Sequence, residues 1–342
     1  MTMQAESLVF HTTDDTKLKG NPIDDVIGAS IKYAAIVSAA KLGLIQALQD
    51  RPLAVAELAT AIGASVQGTQ VLADVLVSIG YLSRRAGQYS HGPIAERWLN
   101  GRAPQDFTPA LLWGYELWNV LWELPQAIRD GKPRQSLWER WADRPEAGRD
   151  FSDYMKVKST LTVSSIVEAA PVPKQARRLL DLGGSHGLHT IAFCQRYPQL
   201  SATLMDLPEA LANTSDSIRQ AGVEQRVTLR KGNFLVDPLG DGYDVILLFE
   251  ILHNHTPQEN QALLVRAARA LNPGGVVLVL EDLKSDDGET HNAAFSLAMF
   301  ACSGDRTYSA AEIGGWFEAG GLLRRDTLKL PSSVSLMVGE KP

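Results

Sequence analysis

The spacing of apolar residues changes period once along this chain, and the change divides it in two. Before about residue 170 the apolar positions recur every three or four residues. Ile31, Ala34, Ala35, Leu42, Ile45 and Leu48 make one helical face, and Pro52 ends that helix. Val55 to Ile62 and Val66 to Ile79 predict two further helices, separated by Gly63. Tyr81-Leu82, a turn over Arg84 to Gly87, and Gln88-Tyr89-Ser90 predict a small hairpin, so this part reads as a winged helix-turn-helix pattern. Trp113, Trp118, Trp122, Trp138 and Trp141 follow. Tyr115, Trp118 and Trp122 share one helix face, for which an interhelical core or a subunit interface is the expected use. A helix from Arg149 to Ala169 then leads to a linker marked by Pro171 and Pro173.

From Arg178 onward strand and helix patterns alternate. Strands are predicted at Leu179–Leu182, Ala202–Met205, Val227–Lys231, Tyr243–Leu248 and Gly275–Leu280. Helices are predicted at Leu188–Tyr197, Glu209–Ala221, Pro257–Leu271 and Ala310–Ala319. Runs such as VILLF and VVLVL do not alternate, so helices cover both faces of the sheet. The fold class is therefore α/β, with a doubly wound Rossmann-like sheet. Asp326–Leu330, a Pro-Ser-Ser turn and Val334–Val338 predict a closing hairpin, hence an antiparallel last strand. The expected organisation is a polar arm over 1–20, a mostly helical winged-helix domain over 21–170 and a ligand-binding α/β domain over 171–342.

Composition changes this picture only by exclusion. At 342 residues, two domains are the natural expectation, and 45% hydrophobic with 21% charged residues is ordinary globular protein. A net charge of −6 gives no general attraction to nucleic acid or anionic membrane. The winged-helix pattern leaves a DNA-binding regulator as the rival from another functional class. However, the second helix of the pair, VQGTQVLADVLVSIG, has no Lys or Arg with which to reach phosphates or base edges. No apolar run of ~18 residues and no leader-like start are present, so a cytoplasmic protein is expected. Cys194 and Cys302 lack paired spacing and read as free, buried thiols. No His, Cys or acid cluster has metal-ligand spacing, His186 and His189 included, so no metal is assigned.

The candidate chemistry lies in LLDLGGSHGLHTIAFCQRYPQLSATLMD, residues Leu179 to Asp206. Gly183, Gly184 and Gly187 allow a sharp strand-to-helix turn with close backbone approach to a ligand. Asp181 places a carboxylate where it would repel a diphosphate, and Asp206, ending the second strand, is placed to accept from ribose hydroxyls. A sulfonium nucleoside, S-adenosylmethionine, fits both acids. Asn233 with Phe234, His253 and Glu281 fall at the ends of the later strands. Five positions distant in sequence thus meet on the one edge where an open sheet binds its ligand.

DLGGSHG, MDLPEA, KGNFLVDPL, YDVILLFEILHNH and LNPGGVVLVLEDL, in that order, resemble the caffeic-acid-type O-methyltransferases of plants and bacteria. The resemblance runs from about Ile23 to near the end, and implies a class I methyltransferase sheet and a winged-helix dimerisation domain, hence a homodimer. It implies cofactor contacts at Asp181, Gly183, Asp206, Leu207, Asn233, Phe234 and Phe249. It implies a general base at His253 bracketed by the acids Glu281 and Asp305, with Met155 and Met299 clamping the acceptor; Phe151 and Phe295 are expected to line the same pocket, and His255, which departs from the family, is expected beside it more as a packing residue than as a proton carrier. The chain departs from the family at Asn233, where Asp is usual, at His255, where Trp is usual, and at Glu250.

An imidazole of ordinary pKa near ~6.5 assists a phenol of pKa about 10 but not easily an aliphatic alcohol, so a small phenolic or enolic, aromatic or polyketide-like acceptor is expected. The departures keep open a member that binds the cofactor but catalyses decarboxylation, hydroxylation or cyclisation, or that methylates carbon, nitrogen or sulfur.

Overall fold

The computed structural model describes residues 21–99, 101, 106–284, 290–330 and 333–342. The polar arm expected over 1–20, and Pro331 and Ser332 of the closing turn, lie outside the described residues. The chain forms two compact units, Met1–Leu112 and Trp113–Pro342. No helix of the described residues is long and apolar enough to cross a membrane.

In the first unit, Asn21 caps the helix Pro22–Lys41 by accepting from the Ile23 N–H at 3.0 Å. The helix expected to run to Pro52 breaks at Gly43, whose φ of +70° stops it before the short helix Leu44–Ala47. Only part of the expected face is buried: Ile45 and Leu48 join the core with Val37, Ala39 and Leu44, whereas Ile31 and Leu42 stay exposed. Helices Val55–Ala61 and Val66–Ser78 follow as expected. A three-stranded sheet orders Leu53–Ala54, Gln88–His91 and Leu82–Arg85. Tyr89 is wholly buried at its centre, and its hydroxyl donates to Asp74 at 2.9 Å. Arg84 of the wing lies 3.5 Å from the same carboxylate.

The second unit begins before the Pro171–Pro173 linker because the tryptophan-rich helices build a core of their own. Trp113 packs edge-on against Phe151 at 4.9 Å, Trp138 against Trp141 at 4.7 Å, and Ala301 and Cys302 close the cluster. The stripe of Tyr115, Trp118 and Trp122 is not that core: Tyr115 and Trp122 are exposed and Trp118 is half-buried. The expected helix Arg149–Ala169 is two helices, Pro145–Thr160 and Val163–Ala169, interrupted at the exposed Leu161. The expected helix Glu209–Ala221 is helical only over Thr214–Gln220. It starts where the buried Thr214 donates its hydroxyl to Ser185 O at 2.6 Å.

The sheet has the expected doubly wound order. Parallel strands Val227–Lys231, Ser201–Asp206, Arg178–Leu182, Tyr243–Phe249 and Leu271–Glu281 lie side by side, third, second, first, fourth and fifth in chain order. Ser335–Glu340 adds antiparallel to the fifth, with Leu336 opposite Leu280, and Leu328–Lys329 completes the hairpin. The strand interiors are apolar and fully enclosed: Leu179, Leu180, Ile246, Leu247, Val277 and Leu278 are each 0% exposed. Burying each such side chain stabilises the fold by roughly 1.5–3 kcal/mol. The order reverses between the first and fourth strands, which opens the ligand crevice at their carboxyl ends.

Candidate active site

At that crevice the first strand turns through Gly183, with φ +75°, where a side chain would be strained and would collide with Ile251. A Cβ on Gly184 would lie 2.5 Å from Asp181 Oδ2. Gly187, also at φ +75°, opens the helix Leu188–Arg196. The loop is tied to the second strand by Ser185 N–H donating to Asp206 Oδ2 at 2.9 Å, while Leu207 N–H donates to Oδ1 at 2.7 Å. Burial raises Asp206 to about 6, against the lowering effect of those two N–H groups. Asp181 lies beneath the loop, 1% exposed, with Thr190 Oγ1 donating to it at 2.5 Å. Burial, and secondarily the Asp206 charge, raise it to about 7 despite Thr190. It therefore supports the loop from below. Neither acid meets a basic side chain among the described residues.

Beyond the third strand, Asn233 Oδ1 accepts from Leu235 N–H at 2.9 Å and Asn233 N–H donates to Asp237 Oδ2 at 2.7 Å. Arg266, on the helix Pro257–Ala270, donates to Phe234 O at 2.7 Å, to Leu235 O at 2.5 Å and to Asp237 O, so this loop is held from behind. Phe234 is buried beside Gly183, and Phe249, ending the fourth strand, packs edge-on against His189 at 5.1 Å. Leu207 is exposed.

After the fourth strand the chain wraps around one carboxylate. Glu281, ending the fifth strand, accepts from Ile251 N–H at 3.0 Å and Leu252 N–H at 2.7 Å through Oε1. Its Oε2 lies 2.6 Å from His253 Nδ1, and both side chains are buried. Burial would lower the imidazole pKa, but Glu281, by charge and by hydrogen bond, and Glu250 outweigh it, and the net shift is upward. A carboxylate at this distance favours the tautomer with its proton on Nδ1, which leaves Nε2 as the ring nitrogen able to accept one.

The O-methyltransferase domain pattern matches residues 122–322, more than half of the chain, and the O-methyltransferase dimerisation domain pattern matches residues 25–101. The chain belongs to the O-methyltransferase family. Its helical first part, which as a sequence also admitted a DNA reader, is thus the dimerisation domain of a methyltransferase. The chain is 28% identical to the 3-hydroxy-5-methyl-1-naphthoate 3-O-methyltransferase of Streptomyces sahachiroi, covering 91% of this chain and 92% of that one. It is 30% identical to the tetracenomycin polyketide synthesis 8-O-methyltransferase of Streptomyces glaucescens, covering 90% and 93%. Among solved structures, that described as PigF with SAH superposes with a TM-score of 0.86 at 25% identity, covering 95% of this chain and 100% of that one.

Within this methyltransferase the remaining expected residues divide. Phe295, on the helix Thr290–Ser303, stands edge-on to His253 at 5.4 Å, and Met299 lies one turn further along. Phe151 sits in the tryptophan cluster, and Met155, one turn on, is half-buried. Asp305 does not bracket His253 as expected. The single proton of the Tyr308 hydroxyl lies between Asp305 Oδ1 and His255 O, the latter at 2.7 Å, so among the described residues Asp305 is linked to His253 through the loop that carries it. Asn260 Nδ2 holds the same loop through Leu252 O and His255 O, both at 2.9 Å. His255 packs edge-on against Phe234 at 5.6 Å, and burial lowers it to about 4, so it is neutral at physiological pH.

Tyr308, Asn260 and Arg266 escaped sequence reasoning because each acts on a backbone carbonyl, which no motif records. Lys158 escaped because a lysine on a helix reads as solvated, yet it pairs with Glu250. Burial lowers His186 and His189 to about 3 and about 4, and no metal-binding group of His, Cys or acids occurs among the described residues.

Proposed function

We propose that this methyltransferase transfers the methyl group of S-adenosylmethionine to a phenolic or enolic hydroxyl of a small aromatic or polyketide-like metabolite, with His253 as general base. The observation that carries this reading is the buried Glu281–His253 pair on the same sheet edge as the glycine loop. The site suits a positively charged, phosphate-free nucleoside: its two buried acids lack cationic partners among the described residues, and the backbone turns between them at Gly183 with a φ of +75°, packed too closely against Ile251 to carry a side chain. Asp206 would hold the ribose, Asn233 and Phe234 the adenine, and Gly183, Leu207 and Phe249 the remainder, with Asp181 supporting the loop.

When bound, S-adenosylmethionine supplies an electrophilic methyl carbon for in-line displacement. His253 Nε2 takes the acceptor's hydroxyl proton as the oxygen reacts, and Glu281 fixes the ring's tautomer and stabilises the imidazolium that forms. Asp305 is a positioning residue that acts through Tyr308. Phe151, Met155, Phe295 and Met299 would wall the acceptor, and neutral His255 would line it beside Phe234. The naphthoate and tetracenomycin enzymes support the acceptor class. A homodimer is supported by the dimerisation domain and by the exposed apolar stripe of Ile23, Val26, Ile27 and Ile31. The working compartment is the cytoplasm.

Methyl-labelled S-adenosylmethionine incubated with a panel of naphthols and hydroxyquinones tests the reading. Label on an aromatic oxygen supports it. Cofactor binding without transfer, or label on carbon, nitrogen or sulfur alone, overturns it.

A further inference from the structure

The reaction as derived leaves a largely enclosed ion pair unused. Glu250 stands where the chain leaves the fourth strand, its side chain 11% exposed, and it pairs with Lys158, whose side chain is 35% exposed. Lys158 belongs to the helix Pro145–Thr160, which also carries Phe151 and Met155. Glu250 has φ +57°, a left-handed conformation rarely adopted outside glycine and kept where surrounding structure enforces it. Its own N–H still donates to Leu280 O at 2.8 Å, and the next two N–H groups turn onto Glu281. The kink therefore lies between the sheet ladder and the turn that presents His253. A charge pair in such a place is a poor stabiliser compared with packed apolar side chains, which makes a functional use the better account of it.

We propose that Glu250 and Lys158 are positioning residues that set the charge on His253, Glu250 as a second carboxylate favouring the imidazolium and Lys158 as the cation that restrains it while tethering the Phe151 helix to the strand end. The proposal rests on His253 being the base. The groups acting on that ring are Glu281 from the fifth strand, Glu250 and His255 from its own loop, and Lys158 from the helix Pro145–Thr160; Phe295 is its neighbour from the helix Thr290–Ser303. His189, from the helix after the glycine loop, interacts with Glu250. A base must be neutral to accept a proton. Two carboxylates unchecked would keep the ring protonated, and Lys158 offsets one of them.

The test is an NMR titration of the His253 ring C–H in the cofactor-free protein, assigned with His253→Asn, for wild type, Glu250→Gln and Lys158→Gln. The midpoint is expected to fall in Glu250→Gln and to rise in Lys158→Gln. In parallel, the ratio of acceptor kcat/KM at about pH 8 to that at about pH 6 is expected to change by about threefold, downward in the first variant and upward in the second. Opposite shifts from the two members of one ion pair are not produced by a purely structural tie. Midpoints that stay put, or move the same way in both variants, overturn the proposal. If either single variant fails to fold, the exchanged pair Glu250→Lys with Lys158→Glu retains the bridge and is expected to lower the midpoint; an unchanged midpoint there overturns the proposal. Because the titration needs no acceptor, failure of methyl transfer and failure of the charge-setting role are read separately.

Discussion

Two carboxylate arrangements stand on one sheet edge and differ in how the chain completes them. Around Glu281 every role is filled internally: two backbone N–H groups and His253 Nδ1 converge on its oxygens at 2.6–3.0 Å. Around Asp181 and Asp206, one hydroxyl and two N–H groups must serve two buried acids, and burial raises both, to about 7 and about 6. In the proposed mechanism the first arrangement serves as a preorganised base, its orientation set before any substrate arrives. The second is electrostatically incomplete without a positive partner, which suits a pair in which Asp206 would bind the cofactor and Asp181 backs the loop that holds it. Catalysis and cofactor recognition should therefore separate under mutation.

The largest expected effect is on the internally completed side. His253→Asn should lower kcat by roughly 10²–10⁴ while leaving the dissociation constant of S-adenosylmethionine, measured calorimetrically, near wild type. Glu281→Ala should lower kcat and also destabilise the fold by about 1–3 kcal/mol in urea melts, because Ile251 and Leu252 would be left as buried, unpaired donors. If both variants lost cofactor affinity in proportion to rate, the separation would be broken.

Asp206→Asn sharpens the other half. It should weaken cofactor binding by about tenfold, the worth of one charge-assisted hydrogen bond, and change kcat at saturating cofactor by less.

How much of this was legible in the sequence differs between the same two sides. The glycine turn, Asp206 and Glu281 could be placed because each closes a largely apolar run that locates a strand's carboxyl end, and His253 because it follows the fourth such run within a few residues. Asp305 could not, since its path to the loop passes through the Tyr308 hydroxyl and a backbone carbonyl. Periodicity showed that Tyr115, Trp118 and Trp122 share a face but not that the packed face is Trp113's. It also ran past Gly43, Leu161 and the residues before Thr214, where local conformation ends a helix without interrupting the apolar pattern.

A smaller effect concerns pH. Asp181 and Asp206 hold their protons more tightly folded than unfolded, so the stability this carries is fully present below the ordinary value of 3.8 and is lost as pH rises through about 6 and about 7. Asp181→Asn should therefore stabilise the protein more at about pH 8 than at about pH 4, by of order 1 kcal/mol, in paired thermal melts. Equal stabilisation at both values would contradict the assignment. Binding of a cationic cofactor should release protons between about pH 5 and 7, visible as a dependence of the calorimetric enthalpy on buffer ionisation.

The most direct measurement of the central claim follows the methyl group itself. Wild type and His253→Asn are given methyl-labelled S-adenosylmethionine and a hydroxynaphthoate acceptor, and the product is analysed by NMR. The expected result is label on the aromatic oxygen with wild type, and transfer slowed by at least about 10² with a cofactor that still binds in the variant. Transfer at the wild-type rate by His253→Asn, or a wild-type protein that binds the cofactor and labels no oxygen on any acceptor, would contradict it.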